Sequence, residues 1–86
     1  MIQRDIAQQS SDNSALINAL CSLKATVNNP VTWATARTHA GLSLDDFDRS
    51  RVAFLNARMR YIELLDNGDE ASSLIWLTEA GKQVCR

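Results

Sequence analysis

The stretch "RSRVAFLNARMRYIELLDNGDEASSLIWLTEAGKQV", Arg49 to Val84, changes its hydrophobic period part-way along. In its first part Val52, Leu55 and Met59 recur at helical spacing, with Phe54 widening the stripe. After Arg60 the period shortens. Ile62 and Leu64 fall on one face of a strand running over 61–65. Asn67-Gly68, inside "DNGDE", is a strong local turn signal. Ser72–Leu77 then reads as the returning strand, with Leu74 and Trp76 on one face and Ile75 and Leu77 on the other. Thr78-Glu79-Ala80-Gly81 predicts a further turn or one short helical turn, and Val84 is expected to drop back into the core.

Working outward, the helix that feeds this hairpin is expected over Leu44–Arg60. Ser43, three residues before Asp46, resembles a capping box with the shorter acid in place of Glu. Leu42 and Phe47 stand in the hydrophobic-staple relation. The expected buried stripe is Leu44, Phe47, the stem of Arg51, Val52, Leu55 and Met59. Asp45, Asp46 and Asp48 occupy the first turns, where the helix dipole favours anions; Arg58 and Arg60 sit near the end, where it favours cations. Asp48 can also pair locally with Arg51 or Arg49.

Upstream, Thr32 predicts the cap of a short helix, Trp33 to His39 or Ala40, whose inner positions are the small Ala34, Ala36 and Ala40. Gly41 suits the left-handed residue that ends it. Trp33 reads as a packing residue. A first helix is expected over Asn13–Val27, with Asp12, Asn13 or Ser14 as cap and Leu16, Leu20, Leu23 and Val27 as its buried face. Pro30 stops the helical pattern after it. Residues 1–12 read as a polar N-terminal arm or short helix, and 13–86 as the folded domain.

The 86 residues suit one domain. A chain this short buries only about 60–65% of its extended surface, which leaves little room for an enclosed substrate cavity. No apolar run approaches the roughly 18 residues of a transmembrane helix, and the start carries no apolar signal region, so a cytoplasmic location is expected and a membrane partner is not. Cys21 and Cys85 have no second ligand at metal spacing. Cys21 reads as a small core hydrophobe, and no structural disulfide is expected. Charge is unevenly spread along the chain. The formal total is −1, with residues 1–36 neutral, 37–60 at +2 and 61–86 at −3.

Three helices followed by a hairpin, with "LTEAGKQV" from Leu77 to Val84, resemble the winged helix-turn-helix superfamily of small bacterial, phage and archaeal regulators. "L-T-x-x-G" often follows the last wing strand there. The resemblance covers about residues 13–84. It implies an α+β fold in which 33–40 is the first helix of the helix-turn-helix, 44–60 the recognition helix and Asp66–Ala71 the wing tip. It also implies a DNA-binding transcriptional regulator or accessory protein with its third helix in the major groove of double-stranded DNA. The nucleic-acid candidates are Arg37, His39, Ser43, Arg49, Ser50, Asn56 and Arg60, with Arg49 suited to a guanine edge and Arg37 to phosphate. A homodimer through Ile2, Ile6 and the outer side of helix one would double the footprint.

The wing departs from the DNA-binding pattern. Its tip carries three acids and no base, which disfavours the phosphate backbone. The alternative is a winged-helix protein–protein interaction module or adaptor with little DNA binding. Asp66, Asp69 and Glu70 would then form a contact surface for a basic protein partner. Catalysis is not expected: His39 is the only histidine, and the glycines at 41, 68 and 81 form no phosphate loop. Neither a cofactor nor a metal site is expected.

Overall fold

The computed structural model describes residues 6–85, with side chains described from Ser10 on. Its elements are α1 (Ile6–Ser22), β1 (Val31–Thr32), α2 (Trp33–Ala40), α3 (Leu44–Leu55), β2 (Ile62–Leu65), β3 (Leu74–Leu77) and α4 (Glu79–Gln83). The architecture is α+β. α1, α2 and α3 are followed by the β2–β3 hairpin, in the winged-helix arrangement.

α1 is longer at its start and shorter at its end than expected. Nothing in "IAQQSSDNSA" is Gly or Pro, so the helix propagates back through Asp12, Asn13 and Ser14, which lie inside it rather than capping it. The boundary placed after residue 12 therefore falls within α1. Ile2 lies outside the described residues. At the other end Lys24 takes a left-handed conformation, φ 54°. Lys24 N–H donates to Cys21 O at 3.1 Å and Ala25 N–H to Leu20 O at 3.0 Å, the double bond pattern of a Schellman stop. Ala25 is then buried and its carbonyl accepts from Leu77 N–H at 3.0 Å. Past this stop Val27 is left 66% exposed.

The α2 boundaries match the residues that define them. Thr32 accepts from Thr35 N–H, and Gly41, at φ 73°, closes the helix. Leu42 N–H donates to Arg37 O and Gly41 N–H to Thr38 O, both at 3.1 Å. α3 starts on Ser43, whose hydroxyl accepts from Asp46 N–H at 3.1 Å. Leu42 and Phe47 are both buried in the core cluster.

α3 differs from expectation in its end and its face. It stops at Leu55, where Asn56 N–H donates to Val52 O at 3.1 Å and Ala57 N–H to Phe54 O at 3.3 Å; further on, Thr78 Oγ1 donates to Arg60 O at 2.6 Å and Thr78 N–H to Tyr61 O at 3.0 Å. Arg58, Met59 and Arg60 therefore lie beyond the helix. The buried residues are Phe47, Ser50 and Phe54, while Leu44, Val52 and Met59 are exposed. Phe47 and Phe54, the two largest apolar residues of α3, take the core side, and the small Ser50 fits between them.

The sheet has three strands rather than two, in the order β1-β3-β2. In the hairpin Ile62 pairs with Leu77 and Leu65 with Leu74; on the other edge of β3, Val31 pairs with Ile75 and Thr32 with Leu74. Ile62, Ile75 and Leu77 face Leu16, Leu20, Phe47 and Phe54 in one cluster. Each such side chain contributes about 1.5–3 kcal/mol by burial.

The "LTEAG" stretch is structural. Thr78 caps α4 by accepting from Gly81 N–H at 3.1 Å. Gly81 is buried where any Cβ would meet Tyr61 O. Val84 stays 43% exposed rather than entering the core. Cys85 instead forms a disulfide with Cys21, with the two Cα atoms 5.6 Å apart. This corrects the reading of Cys21 as an unpaired core residue: folding brings the end of α1 beside the residues after α4.

Candidate functional site

Trp33 joins the three parts of the helix-turn-helix and wing. Its backbone N–H donates to Ser73 O at 2.9 Å and its indole Nε1–H to Leu74 O at 2.8 Å. Its ring centroid lies 6.0 Å from that of Phe47, and the Arg51 guanidinium carbon sits 4.7 Å from the ring centroid. Such a cation over an aromatic face contributes about 0.5–2 kcal/mol. Arg51 thus serves packing, as its place at the stripe's edge suggested, and pairs with Asp48 at 3.1 Å.

The wing loop folds back onto the start of α2. Ala34 N–H donates to Glu70 O at 3.0 Å. The Arg37 guanidinium forks onto both Glu70 carboxylate oxygens, at 2.8 and 3.0 Å, and reaches Leu42 O at 3.2 Å. These bonds hold the Glu70 carboxyl below its usual range and raise Arg37 further. The other two wing acids shape the turn. Asp66 accepts from Gly68 N–H at 2.9 Å; Asp69 accepts from the Ser72 hydroxyl at 2.7 Å and its amide at 2.9 Å. The Ser72 bonds hold Asp69 below its usual range.

The candidate nucleic-acid residues separate accordingly. Arg37 is engaged with the wing. Ser50 is fully buried, which takes it off the surface. Arg60 pairs with Glu63 at 3.6 Å. Arg49 pairs with Asp46 at 3.2 Å with half its side chain exposed. His39 and Asn56 are exposed, at the ends of α2 and α3, and Ser43 is the exposed N-cap of α3.

What α3 turns outward is a mixed face of Leu44, Asp45, Asp48, Arg49, Val52 and Asn56, with Asp48, Arg49, Val52 and Ala53 lining a shallow apolar depression. Leu44 and Val52 were expected inside, so the reading of the stripe hid them. Their spacing shows that they share a face, but not that this face turns outward. Arg58, just beyond α3, is exposed with no ion pair within 4.0 Å among the described residues.

Among the described residues no three His, Cys, Asp or Glu side chains are grouped to hold a metal, and no helix is long and apolar enough to cross a membrane. The chain matches no family model, no curated protein and no solved structure.

Proposed function

We propose that this winged-helix domain is a non-enzymatic, double-stranded DNA-binding regulator or accessory protein that lays the outer face of α3 in the major groove. The observation that carries this reading is the orientation of α3. Phe47, Ser50 and Phe54 anchor one side against α1 and β2, and on the other side Arg49 stands with half its side chain exposed. An exposed pair such as Arg49–Asp46 is worth only a few tenths of a kcal/mol, so a guanine edge can replace Asp46. Val52 and Ala53 suit thymine methyl groups. Ser43, His39 and Arg58 suit the flanking phosphates. Arg37 and Glu70 set the wing against α2 rather than touching DNA.

The test is binding to mixed duplex DNA across a salt series. Two to four phosphate contacts give a slope of log K against log salt of about −2 to −4. Arg49→Ala should cost about 1–3 kcal/mol of affinity. Absence of binding at low salt, from folded protein, would sink the reading.

A second reading, a protein-contact module, is favoured by Leu44 and Val52, 56% and 45% exposed on the same helix. In this reading α3, more than the acidic wing, makes the contact, because Asp66, Asp69 and Glu70 already hold the wing together. A basic protein partner would meet Asp45 and Asp48. Leu44→Ala with Val52→Ala would then abolish partner binding in a chain that ignores duplex DNA. The DNA reading goes with a cytoplasmic location, and immunodetection of the chain in fractionated cells tests that location.

A further inference from the structure

We propose that Cys21–Cys85 is a thiol-exchange site that makes the stability of this domain depend on the redox state around it. This does not rest on the DNA reading. The bond joins residues 64 apart in sequence, the end of α1 and the residue after the cap of α4. Both cysteines are only half-buried, and their neighbours Ser22, Lys82, Gln83 and Val84 are exposed. A small dithiol, or the dithiol of a thioredoxin-class protein, can therefore reach the bond. Its thiolate attacks one sulfur and displaces the other, giving a mixed disulfide. Its second thiol then resolves that link. Cys21 and Cys85 end as thiols carrying the two protons given up by the dithiol, which leaves as a disulfide.

The native fold does not need the crosslink to keep its shape. α4 is held independently by Thr78, through Arg60 O, Tyr61 O and Gly81 N–H, and by the close seat of Gly81. Cys85 Sγ lies 3.7 Å from Gly81 O. A disulfide sulfur has no proton to donate, but the reduced thiol does, and it finds that carbonyl in place. What reduction changes is the unfolded chain, which regains the freedom that closing a long loop removes. The device is thus a stability switch with little conformational change. The cytosol keeps such bonds reduced, whereas oxidising compartments or oxidative stress close them.

The test is urea unfolding of the full chain followed by tryptophan fluorescence, oxidised and then reduced with dithiothreitol, with thiols counted in each state. Reduction should raise the unfolding equilibrium constant on the order of 10²–10³-fold, moving the midpoint down. The far-ultraviolet circular dichroism without urea should stay unchanged wherever the reduced chain is still folded. Oxidised glutathione should restore the midpoint. The Cys21→Ala/Cys85→Ala variant should sit at the reduced midpoint and ignore dithiothreitol. If that variant fails to fold, the reduced wild type decides the matter. Coincident midpoints with two thiols counted would overturn the proposal. So would two free thiols persisting after treatment with oxidised glutathione.

Discussion

Replacing Gly81 by Ala adds one methyl group on which two effects of opposite sign act. Within α4, Ala is the better helix former by about 1 kcal/mol. Against that, the new Cβ would run into Tyr61 O, with Leu77 Cδ2 at 3.0 Å and Tyr61 C at 3.1 Å. A flexible side chain could swing away from such a contact; this carbonyl cannot, because Thr78 N–H holds it at 3.0 Å. Relief requires moving α4 off Tyr61 and the end of β3, which also strains the Thr78 cap. Overpacking of this kind costs about 1–3 kcal/mol, and a backbone obstacle puts it at the upper end. The net loss is about 2 kcal/mol, or about 8–16 °C in Tm for a domain of this size. Thermal melts of wild type and Gly81→Ala, read by circular dichroism under identical redox conditions, measure it. A Gly81→Ala melt at or above wild type would refute the reasoning, since helix propensity would then have won.

Two other expectations follow from local geometry. Lys24→Gly should stabilise the domain by up to about 1 kcal/mol, by relieving the left-handed conformation of a side-chain-bearing residue, φ 54°, at a partly offsetting entropic cost. Chemical denaturation reads it, and a lower midpoint for the variant would count against the strain argument. Glu70 and Asp69 titrate below their ordinary values of 4.5 and 3.8 in the fold. Their contribution is complete above those values and lost as pH falls through the lowered ones. Stability should therefore decline on acidification from about pH 4.5, less steeply in Glu70→Gln; equal slopes in melts across the acid range would contradict this.

The parts of the fold that could be read from sequence were those fixed within a few residues. Thr32, Ser43 and Gly41 mark helix ends through bonds to their own neighbours, and the Asn67-Gly68 turn sets the hairpin. The errors lie where distant backbone intervenes. Leu77 N–H meets Ala25 O just past the end of α1, and Thr78 meets Arg60 O past the end of α3, pairings that no local pattern shows. β1 is two residues long, too short for any alternation to show. On α3, apolar residues stand on both sides, and periodicity could not tell that Phe47 and Phe54 outrank Leu44 and Val52. The candidate site suffers from the same limit. The local pair Asp48–Arg51 was foreseeable, whereas Arg37–Glu70 and Cys21–Cys85 depend on how the wing and the C-terminal segment return to the helices.

The pairing of β1 with β3 also bears on how the chain is made. Val31 and Thr32 leave the ribosome well before Ile75 and Leu74, their strand partners. Until then Trp33 lacks both acceptors of its N–H groups, Ser73 O and Leu74 O. The helical half therefore reaches its final packing around Trp33 only once β3 has been made. A nascent chain interrupted before Ser73 would leave those N–H groups to water and expose the Trp33 ring at the head of α2, a ready handle for chaperones and quality-control proteases.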